Sequence, residues 1–203
     1  GYSDTFTGSS GADSIVAGFG SDSIDGGDGN DTIYAGHDND TVIAGMGDDL
    51  VNGGAGNDSI LGGDGNDTLN GSDGQDTIYG EGGNDELWGS DKDDLLYGGA
   101  GQDTLRGNGE NDTMDGGDNN DTLYGGMGDD VMTDSGSGAE LMYGDEGNDS
   151  IDGGGNHDTL YGGAGDDTLL GGSSGADILY GEDGADLLSG GSNYDTLTGG
   201  AGA

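Results

Sequence analysis

An acidic residue returns every nine residues along this chain, and few folds accommodate so short and fixed a period. Asp4, Asp13, Asp22, Asp31, Asp40, Asp49, Asp58, Asp67, Asp76, Asp85, Asp94, Asp103, Asp112, Asp121 and Asp130 are each nine apart. One extra residue precedes Glu140, after which Asp149, Asp158 and Asp167 resume the spacing; a second precedes Asp177, Asp186 and Asp195. These acids define 22 units, each with glycine before the acid and an apolar residue two places after it. A unit this small cannot bury its own apolar surface. A short period of this kind therefore marks a solenoid, in which each unit is covered by its neighbours.

With the acid at position six, typical units read GGAGNDSIL (53–61) and GGDGNDTLN (62–70). Position eight is apolar throughout, from Phe6, Ile15 and Ile24 to Leu179, Leu188 and Leu197, while position seven is mostly Ser or Thr. Positions seven to nine read as a three-residue strand with one side chain in and two out. Positions one to six read as a turn, with glycine at one, two and four supplying positive φ at no steric cost. Where position four is not glycine it is often Asp38, Asn119, Asn156 or Asn193, residues that tolerate the left-handed region; Tyr2, Lys92 and Glu110 depart from this. A short strand and a tight turn must reverse the chain, so two units make one coil. The expected fold is all-β: a parallel β-roll, that is a right-handed β-solenoid, with two nonapeptides per coil and about 11 coils. It forms one domain over 1–203, roughly 50 Å long at a strand spacing of about 4.8 Å. Gly1 already stands at position three of a unit, and Gly199 to Ala203 stop before the next acid is due. Both ends thus read as cuts within a repeat of a longer array.

Composition sets conditions on this fold. The formal charge is −41, from 43 acids against Lys92 and Arg106, and only 28% of residues are hydrophobic. Such a chain resembles a disordered one by charge and hydropathy, whereas its regular spacing argues for order. The two agree if folding waits for a counter-ion. No cationic surface is present to meet phosphates, which excludes nucleic acid and anionic membrane surfaces as partners. Cysteine is absent, so neither disulfides nor thiolate metal sites contribute. No apolar run is long enough for membrane insertion as a helix.

Stacking like turns places Asp22 over Asp4 and Asp31 over Asp13, giving two columns of carboxylates that would repel strongly if unscreened. Hard oxygen ligands in a flexible turn suit Ca2+, which takes six to eight oxygens, better than Mg2+ or a transition metal. One ion between each pair of stacked turns gives about twenty sites, whose charge of about +40 closely balances the formal −41. Folding should therefore require the metal.

Units matching GGxGxDxUx resemble the RTX (repeats-in-toxin), or haemolysin-type, calcium-binding nonapeptides over the whole chain. The resemblance implies a parallel β-roll with Ca2+ in its turns, in bacterial proteins exported unfolded and folded outside by extracellular calcium. It assigns the 22 position-six acids, Glu140 included, as metal ligands, helped by turn carbonyls. Lys92 and Glu110 replace glycine in turns 18 residues apart, so an ion pair is expected there and weakened or missing ions beside it. Two roles compete: a structural spacer, fibre or surface-layer element of a secreted or cell-surface protein, and a calcium-dependent folding and secretion module of a larger exported toxin, protease or lipase.

No catalytic constellation stands out. His37 and His157 fall in turns on opposite sides, many coils apart, and read as exposed; no Ser or Thr has a neighbouring base. The carboxylates repeat too uniformly to single out an acid and a base. The chain is therefore read as not an enzyme. Position nine of alternate units reads Trp88, Arg106, Tyr124, Tyr143, Tyr161 and Tyr180, which predicts an outward aromatic ladder. Such a ladder serves cross-strand stacking, or a lateral contact with another copy of the roll or a glycan. Tyr79 and Tyr97 predict a shorter pair on the other face.

Overall fold

The computed structural model describes residues 1–202. Its 22 strands run from β1 (Thr5–Thr7) to β22 (Thr196–Thr198), one per unit, with no helix among the described residues. Odd-numbered strands form one parallel sheet of 11 and even-numbered strands a second. The chain thus crosses between sheets once per unit, which is a β-solenoid of about 11 coils. Strand partners sit 18 residues apart, as in Ile24 opposite Val42 and Leu87 opposite Leu105. Across the extra residue before Glu140 the offset becomes 19, with Leu123 opposite Met142. The insertion is absorbed in the turn, and every apolar side chain keeps its face.

The core lies between the sheets as one file of aliphatic side chains from each. Position eight is fully buried from Ile33 to Leu179, and Phe6, Ile15 and Leu188 pack against the same cluster. Leu197, in the last coil described, is exposed.

The strands are longer than the repeat pattern suggests. Sixteen span six residues, such as β3 (Ser23–Asp28), and continue from position seven through position three of the next unit. The turn is correspondingly shorter, positions four to six. What the repeat hides is the backbone ladder: with no proline in the chain, positions two and three of these longer strands pair with the next coil in register with the apolar positions. In the odd sheet this extension stops after β13 (Thr113–Asp118). Its later members, β15 (Val131–Thr133), β17 (Ser150–Asp152), β19 (Thr168–Leu170) and β21 (Leu187–Ser189), have three residues each. The change begins at the turn holding Asp134 and the extra residue, and every later coil inherits it.

Position one is not a conformational glycine. Positive φ falls at positions two and four, where non-glycine residues such as Glu81, Asn108, Lys92 and Asn119 hold φ of 71°, 78°, 88° and 80°. Position one needs space. A Cβ at Gly53, Gly98 or Gly116 would stand 2.5–2.7 Å from Oδ2 of Asp58, Asp103 or Asp121 in the same turn. Only Ala17, Ala35 and Ala44, in the early coils, and Asp134 carry a side chain there.

Candidate metal centre

Reversal of the chain once per unit sends the position-six acids alternately to the two edges of the roll, and all 22 fall into two columns. On the odd edge, Asp22 Oδ1 accepts the backbone N–H of Asp4 at 2.7 Å, and the same bond recurs at each coil up to Asp186. On the even edge the ladder runs from Asp13 to Asp121 and again from Glu140 to Asp195. Its single break lies between Asp121 and Glu140, whose longer arm does not accept the Asp121 N–H.

The other carboxylate oxygen has no such partner. Oδ2 of every column aspartate from Asp22 to Asp186, and both oxygens of Glu140, are buried without a hydrogen bond. From Asp22 to Asp177 these residues are only 1–3% exposed. Buried polar groups are nearly always paired, and an unpaired buried carboxylate is among the costliest groups to hold in a protein. Here the cost recurs nineteen times. The two bases cannot meet it, since Lys92 is engaged at the surface with Glu110 and Arg106 lies over the Tyr124 ring. Hard, anionic, orphaned oxygens at a regular spacing are the donor set a hard cation requires, and the column passes that test.

Burial also moves the protonation equilibria. Desolvation raises Asp58, Asp85, Asp94, Asp121 and Asp149 to about 7 and Asp112 to about 8, against a partial lowering by the N–H each accepts. Asp67, Asp76, Asp103, Asp130 and Asp158 rise to about 6 for the same reason. Glu140 rises furthest, to about 10, from burial together with Asp158, Asp134 and Asp121 around it.

A second ladder runs outside the first. At position five, Asn39 Oδ1 accepts the N–H of Asn57, Asn57 that of Gln75, and Asp48 that of Asn66. His157 continues this series: its Nδ1 accepts the Ala176 N–H at 2.7 Å. That is why position five favours Asn and Asp, a preference visible in the repeat whose reason was not. The other histidine, His37, is exposed and stacks on Phe19 with ring centroids 4.5 Å apart. The two histidines do not meet.

The faces carry the expected aromatic rows. Tyr124, Tyr143, Tyr161 and Tyr180 stack in series with centroids 4.8–5.1 Å apart, and Arg106 caps the row 4.6 Å from the Tyr124 ring. Tyr79 and Tyr97 stack at 4.8 Å. Each ring uses its faces on its neighbours, so cross-strand stacking accounts for the row. Lys92 and Glu110 form the expected pair, with Nζ 2.5 Å from Oε1, both more than half exposed.

Asp134 was not legible as a site residue from the nonapeptide pattern, although it is the one acid at position one. It is buried, and it offers an oxygen within 4.8 Å of those of Asp121 and Glu140.

A parallel β-roll with a column of buried, unpartnered carboxylates along each edge defines a cation-binding solenoid. The profile of the RTX calcium-binding nonapeptide repeat matches residues 1–33, 16–51, 25–60, 43–78, 52–87, 61–96, 79–114, 97–132, 134–169 and 171–203. The chain belongs to that family, and calcium binding comes with it. The matches omit only residues 133 and 170, in front of the two ten-residue units. Repeats of this family are in general structural rather than catalytic, and proteins that carry them are typically secreted by bacteria. No individual curated protein matches the chain.

Proposed function

We propose that the two columns are the calcium ligands of the roll and that this chain is a calcium-rigidified structural element of a secreted or cell-surface protein. The observation that carries it is the recurrence of an orphaned, buried carboxylate oxygen at every interior coil. Oδ1 holds each acid in place through the N–H one coil earlier, which leaves Oδ2 free to hold a Ca2+ that would neutralise the paired acids when bound. Asp4 to Asp195, with Glu140, hold the ions together with turn carbonyls. Neutralisation is the chemistry that calcium contributes. The columns recur at every described coil, with one break in the ladder between Asp121 and Glu140, which supports the use of the roll as a spacer, fibre or surface-layer element. The tyrosine row strengthens its surface, and a contact with another roll or a glycan would use the same row.

Equilibrium dialysis against millimolar Ca2+, with the bound metal counted by mass spectrometry, tests the ligand assignment. About twenty ions per chain are expected, one between each pair of stacked turns. A count below about ten would overturn it. The turn with Lys92 should hold its ion less tightly, because an ammonium group stands where no other turn has a cation. Lys92→Gly is accordingly expected to raise the calcium retained at sub-saturating concentration, and an unchanged binding curve would remove Lys92 from the account.

A further inference from the structure

One place in the roll departs from the inner, carboxylate ladder. Asp134 stands at position one, where every other unit has Gly or Ala. In an ordinary unit a side chain there meets the acid of its own turn. In this unit the turn has an extra residue and the acid is Glu140, with a longer arm. The three departures occur together, and their joint effect is to bring Asp121, Asp134 and Glu140 to one point. One oxygen from each lies within 4.8 Å of the others, the only such group of three among the described residues.

The site is built for a ligand that the chain does not itself provide. Glu140 is 2% exposed, and neither of its oxygens has a hydrogen-bond partner. Asp121 and Asp134 are 1% and 8% exposed, and each leaves Oδ2 unpartnered. Asp134 is held by its other oxygen, which accepts the Gly136 N–H at 3.1 Å, and Asp121 by the Asp103 N–H at 2.8 Å. The Asp121–Glu140 link is also the one missing from the backbone ladder, so Glu140 gives up the bond its position normally makes and brings an oxygen to this cluster. No base is near. Three carboxylates buried together without a cation repel one another.

We propose that Asp121, Asp134 and Glu140 form a distinct tricarboxylate calcium site, the tightest in the roll. An all-oxygen donor set selects a hard cation, and an oxygen span of up to 4.8 Å suits an ion with bonds of 2.3–2.6 Å. An ordinary position between two turns offers two column carboxylates; this one offers three, and calcium affinity rises with ligand charge. The proposal rests on the column reading for Asp121 and Glu140 but adds a ligand, Asp134, that the repeat does not contain.

The calcium-loaded 203-residue chain, dialysed against an EGTA-buffered series of free Ca2+ with the bound metal counted by mass spectrometry, separates the two. Wild type is expected to retain one ion at a free calcium concentration about tenfold below that which empties the columns. Asp134→Asn should release that last ion with the rest, leaving the saturated count lower by one at most. Asp134→Gly, which restores the residue used in the other turns, should behave in the same way and guards against misfolding of the first variant. Superimposed release curves for wild type and both variants would overturn the proposal. A single tight, Asp134-dependent ion with empty columns would uphold it while overturning the column reading; binding of no ion at all would overturn both.

Discussion

In excess EGTA at pH 8 the chain is expected to give the circular dichroism of an unfolded polypeptide, and to regain β structure when calcium is restored. With calcium absent at pH 8, eleven column aspartates with pKa values raised to about 6–8 would have to be buried largely ionised, while Glu140, at about 10, stays protonated. The same shifts fix the effect of pH. A carboxyl whose folded pKa lies above its unfolded value of about 3.8 binds more protons in the folded state, so its protonation favours the fold. That contribution is complete below about pH 4 and disappears as pH rises through about 6–8. At pH 5 the unfolded chain is largely ionised while the folded columns can still be protonated, so protons take over part of the role of calcium. The chelated chain should therefore be more β-rich at pH 5 than at pH 8, and the calcium-loaded chain β-rich at both. A metal-free roll equally folded at both pH values would refute this coupling.

The two columns follow from arithmetic on the sequence, because a nine-residue period with reversal once per unit leaves the acids nowhere else to go. The core is as legible: position eight is apolar at each repeat and buried at each coil between Ile24 and Leu179. Contacts between coils were not. The repeat shows that Asp22 lies above Asp4, but not that Oδ1 would take the Asp4 N–H and leave Oδ2 bare; that depends on where one backbone lies relative to the next. Glycine at position one has the same origin. From sequence it is indistinguishable from the glycines at two and four, yet Gly53 clears room for Asp58 while Gly54 takes a positive φ of 108° within its strand. Asp134 escaped notice because a periodic reading weighs the residues that recur, and this one does not.

Solenoid stability is close to a sum of unit and neighbour terms, so a fault in one coil is felt by the coils on either side of it and little beyond. A single turn can therefore carry a test of what its glycines do. Gly53→Val is expected to be severe. Its Cβ would stand 2.5 Å from Asp58 Oδ2 and 2.9 Å from the Gly71 carbonyl oxygen, and the branched methyls add to the overlap. Asp58 must then move, which orphans the Asp40 N–H that Oδ1 accepts at 2.8 Å and misplaces the carboxylate proposed to hold calcium. Overpacking and a lost buried bond together cost roughly 2–6 kcal/mol, and the calcium midpoint for folding should rise with it. Gly54→Asn, one residue along, should cost less: at its φ of 108° a Cβ would meet the Gly36 carbonyl oxygen, but the backbone can relax toward the φ near 80° that coils with a side chain at position two adopt. Position two already accepts Ser72, Asn108 and Glu182 at φ of 82°, 78° and 72°, and asparagine enters that region readily. Calcium titrations of the two variants, followed by circular dichroism, give the comparison. A larger loss in Gly54→Asn than in Gly53→Val would mean that the close approach of Gly36 at position two is the stricter demand, and that Asp58 moves aside from position one at little cost.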